Sequence, residues 1–242
     1  MRYFITLSYD GTNYHGWQIQ PHSNSVQQTI QEALSTLLQR DLEIVGAGRT
    51  DTGVHARMMV AHFDSDQPID CAQLCYRLCK MLPQDIAIQK IEPVSDDMHA
   101  RFSAKSRTYH YFIHTQKDPF LRGYSWQVFG HLDFNLMNEA AKVLMEYDDF
   151  TSFSKLNTDV KTNICDLKEA HWDEKAPGQW CFTITANRFL RNMVRAIVGT
   201  LVEVGRGKMT IEGLRQVIEA KDRCQAGQSV PGEALFLVDI KY

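Results

Sequence analysis

The 242 residues predict an α+β protein built on largely antiparallel sheets. Three observations carry this. Apolar residues recur at helical spacing in some segments and alternate two by two in others. Turn residues such as Pro177-Gly178 sit directly between neighbouring strand patterns. The same rhythm of helices and hairpin-linked strands runs in both halves of the chain. A hydrophobic content of 44% over this length suffices for one large core or two small ones.

Residues 3–9 alternate as a half-buried strand does, and Asp10-Gly11 supplies a turn. A helix is expected over 26–40, with Ser25 and Gln28 as a capping box and an apolar stripe of Val26, Ile30, Ala33, Leu34, Leu37 and Leu38. Short strands at 43–47 and 58–64 flank a loop at 48–56. A helix over 70–81 ends at Pro83, and strands follow at 86–91 and 107–114. The segment 117–123 is the expected boundary between an N-terminal α/β subdomain, 1–117, and a C-terminal one, 118–242. The second half gives a helix at 134–147, strands at 164–173 and 179–186, and a long helix at 188–204 closed by Gly205 as its C-cap. A short helix at 210–220 and a strand at 235–240 complete the chain.

Composition narrows the function classes. No apolar run approaches the roughly 18 residues needed to cross a bilayer, and the first residues alternate instead of forming a signal peptide. A cytoplasmic protein without membrane contact is expected. The six cysteines are then free thiols. Cys71, Cys75 and Cys79 share one helical face, but no fourth ligand is at hand. They read as small apolar core residues rather than a metal site. The net charge is −3, yet cations cluster. Between His99 and Lys117 stand Arg101, Lys105, Arg107 and Lys117 without an acid. Between Asn187 and Lys208 stand Arg188, Arg191, Arg195, Arg206 and Lys208 against Glu203 alone. Such patches hold a phosphate backbone or form solvated faces, and composition leaves both open.

Three constellations could carry chemistry. In the 48–56 loop, Gly48 and Gly53 permit tight geometry around one carboxylate, Asp51, with the guanidinium of Arg49 two residues earlier. An ionised Asp on a rigid scaffold serves as nucleophile or general base; a hairpin Asp also merely accepts backbone hydrogen bonds. On the helix expected at 188–204, Arg188, Arg191 and Arg195 at i, i+3 and i+7 share the sector opposite the apolar stripe. Arginine without lysine suits phosphates or a carboxylate, though a solvated face has the same pattern. On the strand at 107–114, Arg107, Tyr109 and Tyr111 alternate onto one side, where an unstacked base and its phosphate would fit; a core role for tyrosine fits as well. No phosphate-loop or dinucleotide glycine pattern is present.

Tyr9-Asp10-Gly11-Thr12-Asn13-Tyr14-His15-Gly16-Trp17-Gln18 and Gly46-Ala47-Gly48-Arg49-Thr50-Asp51-Thr52-Gly53-Val54-His55-Ala56 resemble the opening motif and catalytic loop of the TruA-type tRNA pseudouridine synthases. Ala100-Arg101-Phe102-Ser103-Ala104-Lys105-Ser106-Arg107-Thr108-Tyr109, Asp149-Phe150-Thr151-Ser152-Phe153 and 189–199 resemble three further motifs, in family order. In Pro231-Gly232-Glu233-Ala234-Leu235-Phe236-Leu237, Ala234 stands where the family usually has glycine.

The resemblance implies the pseudouridine synthase fold, two α/β subdomains whose sheets join across a central basic cleft. It implies a homodimer on the anticodon arm of tRNA. The implied reaction is isomerisation of uridine at positions 38, 39 and 40, with no metal and no organic cofactor. It maps the catalytic carboxylate to Asp51, the active-site tyrosine to Tyr109 and the basic partner to Arg195. Arg49, Arg107, Arg188 and Arg191 are then candidate substrate contacts, and Arg49 rivals Arg195 as the partner of Asp51. A non-catalytic RNA-binding module, or a synthase acting elsewhere on RNA, would share much of this pattern. One carboxylate in the loop suits an isomerisation at the sugar better than a glycoside hydrolysis, which typically needs two.

Overall fold

A computed structural model describes residues 1–155 and 162–242 and divides the chain into two compact units, Met1–Lys105 with Phe236–Tyr242, and Ser106–Leu235. The 117–123 segment, where composition suggests a boundary, lies inside the second unit. The strand that precedes it, residues 106–114, pairs with a strand at 179–186, and this ladder ties both sides of the segment into one body.

In the first unit, β1 (Arg2–Tyr9) lies between β3 (His55–Asp64) and β4 (Ile86–Val94), antiparallel to both. Covered on both edges, β1 buries Tyr3, Ile5, Leu7 and Tyr9 on one side and Phe4 on the other. The two-residue β2 (Val45–Gly46) adds to β3, and β9 (Leu235–Lys241) pairs with β3 in parallel, Phe236 opposite His55. Helix α1 (Val26–Leu38) buries Val26, Ile30, Ala33 and Leu34. Its cap is half a capping box: Ser25 Oγ accepts from Gln28 N–H at 3.2 Å, while the Gln28 amide reaches forward to Glu32.

Helix α2 (Cys71–Met81) corrects an expectation. Its buried face is Leu74 and Leu78; Cys71 and Cys75 are half-buried and Cys79 is exposed. Two leucines one turn apart bury more apolar area than three cysteines, so they set the helix's rotation.

His62 is buried on β3, and its Nδ1 accepts from Ala100 N–H at 3.2 Å. Burial, with help from the charges of Arg2 and His99, lowers its pKa to about 4. A depressed base disfavours folding in acid. The contribution is complete above about pH 6.5, the unfolded value, and is lost as pH falls towards 4. Urea unfolding at pH 7.5 and pH 5 should show a loss to which His62 contributes about 2 kcal/mol. His62→Gln should remove that part of the pH dependence and leave the rest.

In the second unit, β8 (Gln179–Ala186) lies between β5 (Ser106–His114) and β7 (Leu167–Ala176), antiparallel to both, and the short β6 (Trp126–Gln127) pairs with β5 in parallel. Helix α3 (Phe134–Leu144) packs on β7 and on α4 (Met193–Gly205), and α5 (Ile211–Ala220) packs on both helices. Phe134 of α3 stacks on Trp180 with ring centroids 3.9 Å apart. Among the described residues no helix is long and apolar enough to cross a membrane. The α+β class with mostly antiparallel pairing is as the sequence predicts.

Helix α4 begins at Met193, not at residue 188. Asn192 has φ +68°, a left-handed conformation that a helix interior does not accommodate. Arg188 and Arg191 therefore precede the helix, and the shared helical sector of three arginines does not exist. Nor is Gly205 a left-handed cap. The helix runs through it and Gly207 takes positive φ. A side chain at 205 would collide with Met137, so Gly205 serves helix packing. Ala234, in place of the family's usual glycine, closes a short 3-10 turn at ordinary backbone angles.

Candidate active site

In the first unit the loop carrying Asp51 joins β2 to β3 and is clamped by residues 9–17. Trp17 N–H donates to Thr50 O and Gly53 N–H donates to Tyr14 O, both at 3.3 Å. The hydroxyls of Tyr9 and Thr50 meet at 2.9 Å. The two chains approach so closely that glycine is required. A Cβ on Gly16, which has φ +90°, would lie 2.2 Å from Thr50 O, and one on Gly11 would lie 2.1 Å from Val54 O. Of the two loop glycines, Gly53 adopts positive φ and Gly48 does not.

Asp51 thus sits between a buried Thr50 and a buried Val54, and its own carbonyl accepts from Val54 N–H at 3.1 Å. Its side chain is part-exposed, and Arg49 is exposed two residues away. The clamp itself has an anchor. The Tyr14 hydroxyl donates to Asp85 Oδ1 at 2.7 Å, and burial, reinforced by that carboxylate, raises the tyrosine's pKa.

In the second unit β5 places Arg107, Tyr109 and Tyr111 on one face, as alternation predicts. Tyr111 is fully buried and its hydroxyl donates to Pro231 O at 3.0 Å. Burial raises its pKa. Tyr109 is mostly buried and meets Phe189 edge to face, centroids 5.1 Å apart. Arg107 donates to Asn187 O at 2.8 Å, and Arg188 donates to Thr162 O at 3.2 Å. The irregular segment 187–192 leaves β8 opposite the start of β5 and so brings Phe189 to Tyr109 and Asn187 to Arg107.

Arg195 lies in the first turn of α4, half-buried, with Nε donating to Val230 O at 2.7 Å. The loop that supplies this carbonyl is itself tied down. Val230 N–H returns to Arg195 O at 3.3 Å, Asn192 Nδ2 donates to Ser229 Oγ at 2.6 Å, and Arg223 donates to the same hydroxyl at 2.8 Å. One edge of the Arg195 guanidinium is thereby fixed in direction. Arg191 is exposed.

Sequence reasoning did not find the Arg195 tether, the Phe189 partner or the clamp on the loop. For the first two no local signal exists, because both depend on the break at Asn192. For the clamp, Gly11 and Gly16 flanking aromatic residues were the available signal.

A family model described as tRNA pseudouridine synthase matches residues 5–103 and 140–242. Relatives extend over the whole chain. The tRNA pseudouridine synthase A of Bacteroides thetaiotaomicron is 60% identical over 244 residues, covering 100% of this chain and 90% of that protein. That of Parabacteroides distasonis is also 60% identical, with 96% of that protein covered. The protein of the same name from Bacillus subtilis is 41% identical, with 100% and 99% covered.

Proposed function

Since the chain belongs to the tRNA pseudouridine synthase family, a family of isomerases, we propose that it converts uridine to pseudouridine at positions 38, 39 and 40 of the tRNA anticodon stem-loop with Asp51 as the acting carboxylate. One observation carries this reading: a part-exposed carboxylate on a loop whose neighbouring residues are pinned by main-chain hydrogen bonds. A group held that way meets a substrate without first having to be ordered.

The isomerisation breaks the bond between ribose C1′ and N1, turns the base and joins C1′ to C5. The proton on C5 leaves and N1 gains one, so the reaction is balanced without oxidant or reductant. The base must first leave its stack. Asp51 acts at the sugar, by attack on C1′ or by taking the C2′ proton. Tyr109 lies against the turned base, and Arg195 supports the carboxylate. Arg49, Arg107, Arg188 and Arg191 take phosphates. The enzyme works as a cytoplasmic homodimer on one tRNA, without metal or organic cofactor. The decisive experiment is tritium release from tRNA labelled at uridine C5, using substrates with a single uridine at 38, 39 or 40 and controls with uridine elsewhere. Release from the controls alone would defeat the assignment of position.

Tyr109 separates two uses of its ring. Tyr109→Phe should bind tRNA as the wild type does, whereas Tyr109→Leu should weaken binding by about 1–3 kcal/mol through lost stacking. If the hydroxyl handles the C5 proton, Tyr109→Phe also releases tritium slowly. Equal behaviour of both variants and wild type in filter binding and release would leave Tyr109 as a strand residue only.

A further inference from the structure

His55 is buried at the start of β3, four residues beyond Asp51, and the isomerisation leaves it unused. Its Nδ1 lies 3.0 Å from Gly11 N–H and 3.0 Å from Asp10 Oδ1. One ring nitrogen serves one of these at a time. With Nδ1 unprotonated the ring accepts from Gly11, and with Nδ1 protonated it donates to Asp10. Asp10 Oδ1 already accepts from Thr12 N–H at 2.9 Å and from Thr12 Oγ1 at 2.6 Å. The Gly11 amide lies in the buried stretch that presses on Val54 O. A buried N–H left without an acceptor costs about 1–3 kcal/mol. The ring has little freedom to leave, because it stacks on Phe236 with centroids 4.5 Å apart, and Arg57 covers the same phenyl ring at 5.4 Å.

We infer that His55 is a positioning residue for the carboxylate loop: as the acceptor for Gly11 N–H it locks the 9–17 clamp onto the C-terminal end of the Asp51 loop. The clamp grips Thr50 on one side of Asp51 and Gly53 on the other, and the His55–Gly11 bond fixes its first turn against Val54. Without that bond the turn at Gly11 can back away, and the loop loses its support on the Val54 side.

This inference rests on Asp51 being the acting carboxylate, so its test uses two readouts. The first is pseudouridine formation in single turnover at saturating tRNA. His55→Phe keeps the ring stack and removes the acceptor. It should lower the rate about ten- to a hundredfold, as a displacement near 1 Å does, with tRNA affinity changed less than about threefold. His55→Asn places an amide oxygen close to where Nδ1 sits and should recover the rate to within about threefold of wild type. Should His55→Phe not fold, His55→Gln, whose carbonyl lies one carbon too far out, takes its place with the same expected loss. The second readout is amide hydrogen exchange at Gly53 and Val54. It should speed up about tenfold or more in the Phe or Gln variant, and should not change in His55→Asn or in Asp51→Asn. If His55→Asn is as slow as His55→Phe, or the loss appears in tRNA affinity, or loop exchange stays at the wild-type rate, His55 is an ordinary core residue. An active Asp51→Asn enzyme would instead overturn the catalytic reading while the exchange data still judged His55.

Discussion

Asp51→Asn is expected to abolish tritium release from uridine-labelled tRNA, by at least a thousandfold, or roughly 4 kcal/mol of barrier. Asparagine keeps the volume of the side chain but is neither nucleophile nor base. The fold should not suffer, because the loop is held by Thr50, Gly53 and Val54 through main-chain atoms and by the Tyr9–Thr50 hydroxyl pair. tRNA affinity should stay within a few-fold of wild type. Unfolding midpoints and filter binding check both. Residual turnover above a tenth of wild type would remove Asp51 from the chemistry.

If Arg195 supports the carboxylate as proposed, Arg195→Ala should cost about a hundredfold in turnover at saturating tRNA, the loss typical of removing one preorganised charge or donor beside a reacting group. Stability should respond differently. Arg195 stands in the first turn of α4, where a cation opposes the helix dipole, and Asn192 provides no side-chain cap there. Removing the guanidinium relieves that repulsion and forfeits the bond to Val230 O, two effects of similar size and opposite sign. The thermal midpoint should therefore move little while the rate falls. Arg195→Lys should restore only part of the rate, since an ammonium cannot both hold Val230 O and present a planar fork. If Arg49→Ala produces the loss of turnover and Arg195→Ala only weakens tRNA binding, Arg49 holds the role.

Most of the architecture was legible because helices and strands here follow their periodicities. The capped helices begin within a residue of expectation, since Ser25, Asp70, Asp133 and Thr210 each accept the expected backbone N–H. The misreading at 188–192 shows what periodicity misses. Phe189, Leu190, Met193 and Val194 keep helical spacing across a residue that is left-handed. Asparagine is among the few residues that tolerate this, but only tertiary ties such as Asn192 to Ser229 select it. The α2 cysteines were misjudged for a related reason, as polarity alone does not rank thiols against the leucines beside them. The carboxylate loop stood out because a lone acid between glycines is a local pattern. What orients Arg195 comes from thirty-five residues away and leaves no trace in the local sequence.

The clamp around the carboxylate loop is written mainly in main-chain atoms. Apart from the ties through Tyr9, Tyr14 and His55, its shape is then nearly indifferent to the side chains it carries. Asn13 and Thr52 are exposed. They can change size and charge without moving Asp51, provided none becomes a backbone-stiffening proline. Substitutions at those positions leave the proposed acting carboxylate in place. The intolerant positions are Gly11 and Gly16, where one added methyl would force the two chains apart. A library that randomises the outer positions and holds the two glycines samples new recognition on an unaltered chemical centre.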